Sequence, residues 1–329
     1  MPLSPSSRPQ RQLALLLIAG PLLILVAVFL GDGWREPWRL WQADHAGILE
    51  MRLWRVGWGA LVGASLALAG STLQTVLRNP LAEPYVLGLS SGAGLGTAAG
   101  IVLGVLALHP VLLPFAGFVG AMCSLVIVYH LARTARGTTP HTLILAGVVW
   151  GSITHSVLMF LVTQSSAEGL QAILWWMLGD LQVYETRMVI TVCWLNGIAA
   201  IALYTRSRAL NALLLGDEGA GHVGLHTERV KAVVLVLATL LAAAAVSVSG
   251  IIAFVGLIAP HMARAMVGAD HRRLLPAAAV IGATFLVWAD GIGRTLLFPV
   301  EIPVGVLTAL VGGPFFLVLL RRKQREIWS

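Results

Sequence analysis

Four charged residues stand at spacings that could recognise a carboxylate or form an ion pair. Arg52 and Arg55 are three residues apart, which places both on one face of a helix. Arginine binds carboxylates through paired hydrogen bonds, so this face could hold an acidic partner. The alternative is that both side chains extend along apolar surface towards water. Asp290 and Arg294 are four apart, which predicts a structural ion pair within one helix more readily than a proton relay.

A serine motif suggests a second possible activity, nucleophilic catalysis. The stretch Gly88-Leu89-Ser90-Ser91-Gly92 fits the pattern G-x-S-x-G, and an intramembrane serine protease could pair such a serine with His155. A nucleophile elbow, however, needs a strand before the serine, and no orienting acid stands nearby. We therefore predict that the chain has no catalytic residue and keep the protease as the alternative from another class.

The lysines exclude nucleotide binding by a P-loop. That loop needs Gly-Lys followed by Ser or Thr, and neither of the two lysines, Lys231 and Lys323, follows a glycine. If ATP drives this protein, another subunit must bind it. An ion-driven secondary transporter acting alone is the alternative, and it usually needs intramembrane carboxylates. Asp180 and Asp290 are the candidates for that role.

The composition shows which elements must position these residues. Among 329 residues, 57% are hydrophobic and only 11% are charged, against about 25% in ordinary soluble domains. The mean hydropathy is +0.84. So few charges cannot cover the surface of a soluble enzyme. Cys123 and Cys193 lie in apolar runs and are interpreted as small hydrophobic residues, not as metal ligands. The chain is predicted to be a polytopic membrane protein.

The apolar runs predict an all-α bundle of about ten transmembrane helices in one domain, residues 1–329. Runs of spanning length are 13–30, 56–77, 85–108, 111–132, 141–163, 188–205, 274–298 and 302–320. The run 232–263 is too long for one helix and is interrupted at Gly250, so it forms either two short helices or one span and a re-entrant piece. The first run lacks an A-x-A cleavage site, which favours a true span over a signal peptide.

The basic residues predict the orientation. The N-terminus carries two Arg, and the C-terminus carries three Arg and one Lys, so both are expected to be cytoplasmic, which requires an even number of spans and favours splitting 232–263. Sixteen of the 22 Lys and Arg then fall on the inner side and six on the outer side. The net charge of +7 is therefore mostly a topology signal, and nucleic-acid binding is not expected. The predicted location is a cytoplasmic-type membrane, with lipid around the bundle.

Two further patterns concern packing and partners. Gly88, Gly92, Gly96 and Gly100 recur every fourth residue, which lets a neighbouring backbone approach closely, either for static packing or along a pathway. The cytoplasmic loop, about 206–231, predicts two short helices that meet at Gly216 and could seat in another protein. Asp217 and Glu218 would begin the second helix, where acidic side chains suit the helix dipole. The alternative is a solvated loop.

Long motifs in order along nearly the whole chain resemble the FecCD-type permease subunits of bacterial ABC importers for iron–siderophore complexes, haem and cobalamin. They are 63–94, beginning Gly-Ala-Ser-Leu and containing Arg-Asn-Pro-Leu-Ala-Glu-Pro; 250–261, Gly-Ile-Ile-Ala-Phe-Val-Gly-Leu-Ile-Ala-Pro-His; 301–305, Glu-Ile-Pro-Val-Gly; and 312–316, Gly-Gly-Pro-Phe-Phe.

The resemblance implies a type II importer permease with ten helices per subunit. It implies a homodimer with the pathway at its two-fold axis, two ATP-binding subunits below and a periplasmic substrate-binding protein above. This chain would bind no cofactor, and ATP with magnesium would belong to the partner subunit. Gly216, Asp217 and Glu218 match the family's coupling helices, while Arg52, Arg55 and Arg294 match its arginines that dock the binding protein. The family has a proline between the first two arginines, where this chain has Leu53 and Trp54.

Overall fold

The computed structural model describes residues 7–30, 46–104, 111–134, 137–182 and 185–327, and most of these are helical. The α-helices are α1 (Ser7–Ala27), α2 (Ala46–Val76), α3 (Leu89–Val102), α4 (Leu112–Ala132), α5 (Pro140–Gln164), α6 (Ala167–Leu178), α7 (Thr186–Thr205), α8 (Ser207–Leu213), α9 (Gly216–His222), α10 (Thr227–Ser249), α11 (Val255–Val267), α12 (His271–Leu296) and α13 (Val304–Ile327). A 3₁₀ helix, Pro84–Leu87, precedes α3. Strands β1 (Arg133–Thr134) and β2 (Gly137–Thr138) form a small antiparallel hairpin.

The described residues contain ten apolar helices, in agreement with the predicted bundle. Seven of them, α1, α2, α4, α5, α7, α10 and α12, are long and apolar enough to span a membrane, and α3, α11 and α13 contribute shorter apolar segments. The run 232–263 is split as expected, because α10 ends at Ser249 and α11 begins at Val255. The described part of the run 85–108 ends at residue 104 and holds the 14-residue helix α3, preceded by most of the 3₁₀ helix, in place of one long span.

Helices α2, α10 and α12 form the centre of the bundle. Most of α2 is buried, whereas most of α1 and α5 is exposed in the single chain. Glycines set the close packing at this centre: a Cβ on Gly63 would overlap the carbonyl oxygen of Gly282 in α12, and one on Gly70 would overlap that of Gly256 in α11. Backbone thus meets backbone, as small residues permit between membrane helices.

The two short helices α3 and α11 begin inside the bundle, α3 directly after the 3₁₀ helix and α11 after an irregular segment. Their N-cap residues, Gly88 and Phe254, both have left-handed backbone, with φ of 70° and 68°. The segments before them contact each other, because the Phe254 amide donates to a carboxylate oxygen of Glu83 and the Tyr85 hydroxyl donates to the Ile252 carbonyl at 2.8 Å. Two interrupted helices therefore meet through their N-terminal ends.

The glycines of α3 lie against its neighbours in the same chain. Gly92 faces Gly120 and Ser124 of α4, and Gly96 faces Ala116. Gly88 contacts Trp150 of α5, and Gly100 is buried. These contacts are those of helix packing.

Candidate functional site

The outer end of the bundle is defined here as the end that carries Arg52, Arg55 and Arg294. Helix α2 begins at Ala46, ten residues before the apolar run at 56, and continues unbroken through both arginines. No proline turn separates them, since Leu53 and Trp54 are helical. Arg52 and Arg55 consequently stand about one turn apart near the helix start, as their spacing predicts.

Asp290 is the centre of the charged groups at this end. Arg55 in α2 donates to its carboxylate through Nε, at 3.1 Å to each oxygen, and through Nη2 at 2.8 Å. Arg294, one turn along α12, places Nε 3.0 Å from the other carboxylate oxygen, which confirms the predicted Asp290–Arg294 pair. The side chains of Asp290 and Arg294 are only 5% and 7% exposed, so this is a buried ion cluster.

A second carboxylate, Glu301, completes what we call the outer cluster: Arg52, Arg55, Asp290, Arg294 and Glu301. Glu301 follows α12 and accepts one hydrogen bond from Arg55 Nη2 at 2.9 Å. Two cavities of about 480 and 330 Å³ open beside it, and both are lined by Arg55, Gln182 and Glu301. Arg52 and Arg294 also line the larger one. The arginines expected from the sequence therefore come together around one basin.

The partners of Arg55 were not predicted. Asp290 was assigned only to Arg294, because i,i+4 spacing is visible in a sequence, whereas Arg55 and Asp290 are 235 positions apart. The only available signal was a carboxylate inside an apolar run, which requires a buried cationic partner but does not identify it.

The inner end carries the two short helices predicted for the 206–231 loop. Helix α8 buries Leu210 and Leu213 against the bundle, and α9 begins at Gly216, whose φ is 91°. Leu214 and Leu215, at the junction, are 49% and 63% exposed. The pair of helices thus has one face fixed to the bundle and an apolar turn facing away from it.

Asp217 belongs to what we call the inner network: Arg78, Asp217, Glu228 and Lys231. Its Oδ1 lies 2.8 Å from Arg78 Nη2 at the end of α2 and 3.0 Å from Lys231 Nζ in α10. Lys231 also contacts Glu228 at 3.2 Å and donates to the Thr138 carbonyl in the hairpin at 3.0 Å. Asp217 therefore connects α9 to the bundle, while the neighbouring Glu218 is exposed.

A second connection, the helix clamp, joins α8 to α12 and α2 through Asn211, Asp270, His271 and Thr75. The Asn211 amide nitrogen donates to Asp270 at 2.7 Å, and its oxygen accepts the His271 backbone N–H at 2.9 Å and faces His271 Nδ1 at 2.7 Å. His271 Nε2 then lies 2.8 Å from the Thr75 hydroxyl. Sequence reasoning missed the clamp because its members lie on three separate elements.

Asp270 shows how the clamp is stabilised electrostatically. Partial burial acts to raise the pKa of Asp270, but hydrogen bonds from Asn211 and the Arg272 amide, with the charges of Arg272 and Arg273, lower it overall. Its carboxylate also accepts from the Arg272 backbone N–H at 3.1 Å and so caps α12. The charged form of Asp270 thus holds both the cap and the amide of Asn211.

Ser91, which follows the motif serine Ser90, makes structural contacts. Thr154 donates to the Ser91 hydroxyl at 2.8 Å, and Ser91 itself donates to the Gly88 carbonyl at 3.1 Å. Ser91 lies in the first turn of α3, next to α5, with no strand before it.

Comparisons with known proteins agree on one family. The family described as the FecCD transport family matches residues 15–322. The cobalamin import system permease protein BtuC of Halobacterium salinarum is 41% identical, over 83% of this chain and 73% of that protein. The hemin transport system permease protein HmuU of Yersinia pestis is 37% identical, over 88% and 85%. A solved metal-chelate type ABC transporter in an inward-facing conformation superposes with a TM-score of 0.83 and 30% identity, covering 94% and 99% of the two chains.

Proposed function

Because this chain belongs to the FecCD transport family and is therefore a transmembrane permease subunit of an ATP-driven importer, we propose that its cargo is a bulky metal chelate. It is a transport subunit and not an enzyme, and a separate ATPase hydrolyses the ATP. The cargo class is supported by the cobalamin and hemin permeases among its relatives and by the metal-chelate transporter that shares its fold. Neither the ion-driven carrier nor the protease is favoured.

The proposed assembly contains two copies of this chain, each a single permease domain over residues 1–329. Two ATP-binding subunits, each using ATP with magnesium, lie on the cytoplasmic side, and a substrate-binding protein docks on the other side. Both termini are cytoplasmic, and the cargo passes between the two copies. Gly88, Gly92, Gly96 and Gly100 serve helix packing in each copy, which keeps α3 close to α4 and α5.

The observation that carries the mechanism is the attachment of α8 and α9 to three central helices. Leu214, Leu215 and Glu218 form the exposed surface that the ATPase grips in this proposal. Asp217 and Asn211 transmit its movement, because they bond to α2, α10 and α12. Gly216 allows the sharp turn between α8 and α9, since its positive φ is unfavourable for other residues. ATP-driven closure of the ATPases then changes access to the cargo.

The outer cluster is the proposed docking site of the binding protein. Arg52, Arg55 and Arg294 line a basin at the opposite end of the bundle from α8 and α9. Guanidinium groups held in fixed positions favour bidentate pairing with carboxylates of an acidic partner. Charge reversal of Arg52 and Arg55 should abolish binding-protein affinity, and unchanged affinity would remove this role.

Reconstitution tests the function as a whole. The chain is placed in proteoliposomes with and without its ATPase and binding protein, and uptake of cyanocobalamin, hemin and ferric citrate is measured. Accumulation should require ATP and both partners and should survive collapse of the ion gradients. Uphill uptake by this chain alone would contradict the proposal.

Paired substitutions at the inner end test the coupling role. Asp217→Asn should leave ATPase binding intact but reduce uptake per ATP hydrolysed, because α9 loses its bonds to Arg78 and Lys231. Glu218→Gln should instead weaken ATPase binding, since Glu218 is exposed. Identical behaviour of the two variants, or normal uptake in both, would contradict the division between gripping and transmitting residues.

A further inference from the structure

The outer cluster already supplies carboxylates to its own arginines. Among the described residues, Arg55 contacts both Asp290 and Glu301, and Arg294 contacts Asp290. An acidic partner therefore does not meet a bare positive patch. To bind Arg55, it must displace one of the two carboxylates that Arg55 already contacts, and the question is which one can leave.

The two carboxylates differ in how firmly they are held. Asp290 is 5% exposed, receives three hydrogen-bond contacts from Arg55 and pairs with Arg294. Glu301 is 44% exposed and receives a single hydrogen bond from Arg55 Nη2. Removing the partner of a buried charge is costly, whereas an exposed ion pair contributes little. Glu301 is the carboxylate that exchanges at low cost.

Two features beside Glu301 suit an incoming protein segment. The Nη2 atom of Arg294 is buried and has no hydrogen-bond partner in the described part of the chain, so the basin can accept one more carboxylate oxygen. Leu297, Phe298 and Val300, on the same connection as Glu301, are 58–64% exposed. Exposed apolar side chains bordered by polar or charged groups mark a protein or membrane interaction site.

We propose that Glu301 is a place-holder for an acidic side chain of the binding protein, which displaces it from Arg55 when the two proteins dock. This inference rests on the docking role proposed above for the arginines. Asp290 stays in place and keeps Arg55 and Arg294 oriented. Glu301 moves out into water, and its vacated position on Arg55 receives the partner's carboxylate.

Displacement of Glu301 also reaches the rest of the bundle. The next residue, Ile302, donates its backbone N–H to the Gly293 carbonyl at 3.1 Å, and α13 begins at Val304. Gly305 lies against the Leu178 and Ile251 carbonyl oxygens, at the end of α6 and in the segment leading to α11. Docking at Arg55 thus affects the segment between Glu301 and Gly305, which holds the start of α13 against α6 and the segment before α11.

The test uses the full permease in lipid nanodiscs and a fluorescent tetraglutamate peptide as the acidic probe. Glu301→Gln should tighten peptide binding roughly two- to fivefold, because a competitor worth little energy is removed. Glu168→Gln is the matched control: Glu168 is an exposed acid in the first turn of α6, so the same loss of charge there should change little. Arg55→Ala should reduce peptide binding in both backgrounds.

Any other result contradicts the proposal that Glu301 occupies the position of a partner carboxylate. Weaker peptide binding by Glu301→Gln would mean that Glu301 itself contacts the partner, and unchanged binding would mean that Glu301 does not compete. No binding by either form, or an equal gain with Glu168→Gln, would exclude a competing position at Arg55. ATP-dependent uptake by the wild type is measured separately. If the wild type shows such uptake, a failed peptide test rejects only the displacement of Glu301. If the wild type shows no partner-dependent uptake, the proposed function is rejected as well.

Discussion

The outer and inner ends of the bundle join the same two helices, α2 and α12, by different chemistry. At the outer end the link is ionic and buried, from Arg55 to Asp290. At the inner end it is a hydrogen bond between Thr75 and His271, both buried. Between the ends, Gly63 meets Gly282. The comparison indicates that α2 and α12 form one closely packed unit that runs from the outer cluster to the helix clamp.

The two ends also differ in how exposed their ion pairs are, and therefore in how easily those pairs can be broken. The inner network has exposed members, since Arg78 and Asp217 are 41% and 39% exposed, whereas Asp290 is almost fully buried. Exposed pairs are weak and screened by salt. Movement of α9 is therefore cheaper than movement within the α2–α12 unit.

The largest effect should come from removing the buried carboxylate at the outer end. Asp290→Ala leaves the charges of Arg55 and Arg294 without their buried partner, and we expect a loss of about 3–5 kcal/mol in the free energy of unfolding. Denaturant unfolding in detergent measures it. Glu301→Ala is the control and should cost less than about 1 kcal/mol because Glu301 is exposed. Equal losses would mean that the cluster is not organised around Asp290.

The glycine contact between the ends should give the next largest effect. Gly63→Ala places a methyl group on the Gly282 carbonyl, and since backbone cannot rotate away, we expect a cost of about 3 kcal/mol. Gly57→Ala, in the same helix with nothing within 4 Å of its Cβ position, is the control and should be close to neutral or slightly stabilising. Thermal unfolding of both variants decides whether α2 and α12 are joined by close packing.

Breaking the helix clamp should have an intermediate effect. Asn211→Ala removes the acceptor of two His271 N–H groups and the donor to Asp270, at a cost of about 2 kcal/mol. Amide exchange in the first turn of α12 should accelerate, and uptake per ATP should fall. Arg208→Ala, an exposed position in the same helix, should change neither. Unchanged amide exchange in the Asn211 variant would show that α12 does not depend on α8.

The smallest effect should be that of Asp217→Asn on stability. We expect less than about 1 kcal/mol, and less still at 1 M salt, where charges are screened beyond about 3 Å. The cost of Asp290→Ala should respond little to salt because its partners are buried. A similar salt response of the two variants would remove the distinction between the ends.

The elements that were predictable are those with local signals. Apolar run length, together with the interruption of 232–263 at Gly250, predicted ten apolar helices, and the 206–231 loop was predicted to form two short helices that meet at Gly216. Asp290 and Arg294 were paired correctly because both lie on one helix.

What escaped prediction depends on elements distant in sequence. The bonds from Arg55 to Asp290 and from Asn211 to His271 exist only once α2, α8 and α12 are packed. The shortness of α3 was also missed, because an apolar run does not reveal where the backbone leaves the helix. Phe254 illustrates this: a bulky residue at positive φ carries no sequence signal and is fixed only by its surroundings.

The meeting of α3 and α11 has a mechanical meaning. A chain that leaves its helix within a bilayer exposes amide groups that lipid cannot solvate. Tyr85 satisfies the backbone groups of Ile252 in the segment before α11: its hydroxyl accepts the Ile252 N–H at 3.1 Å and donates to the Ile252 carbonyl. The segments that lead into α3 and α11 are thereby joined through the hydroxyl group of Tyr85. Any tilt of α11 during a transport cycle must therefore move the start of α3 with it.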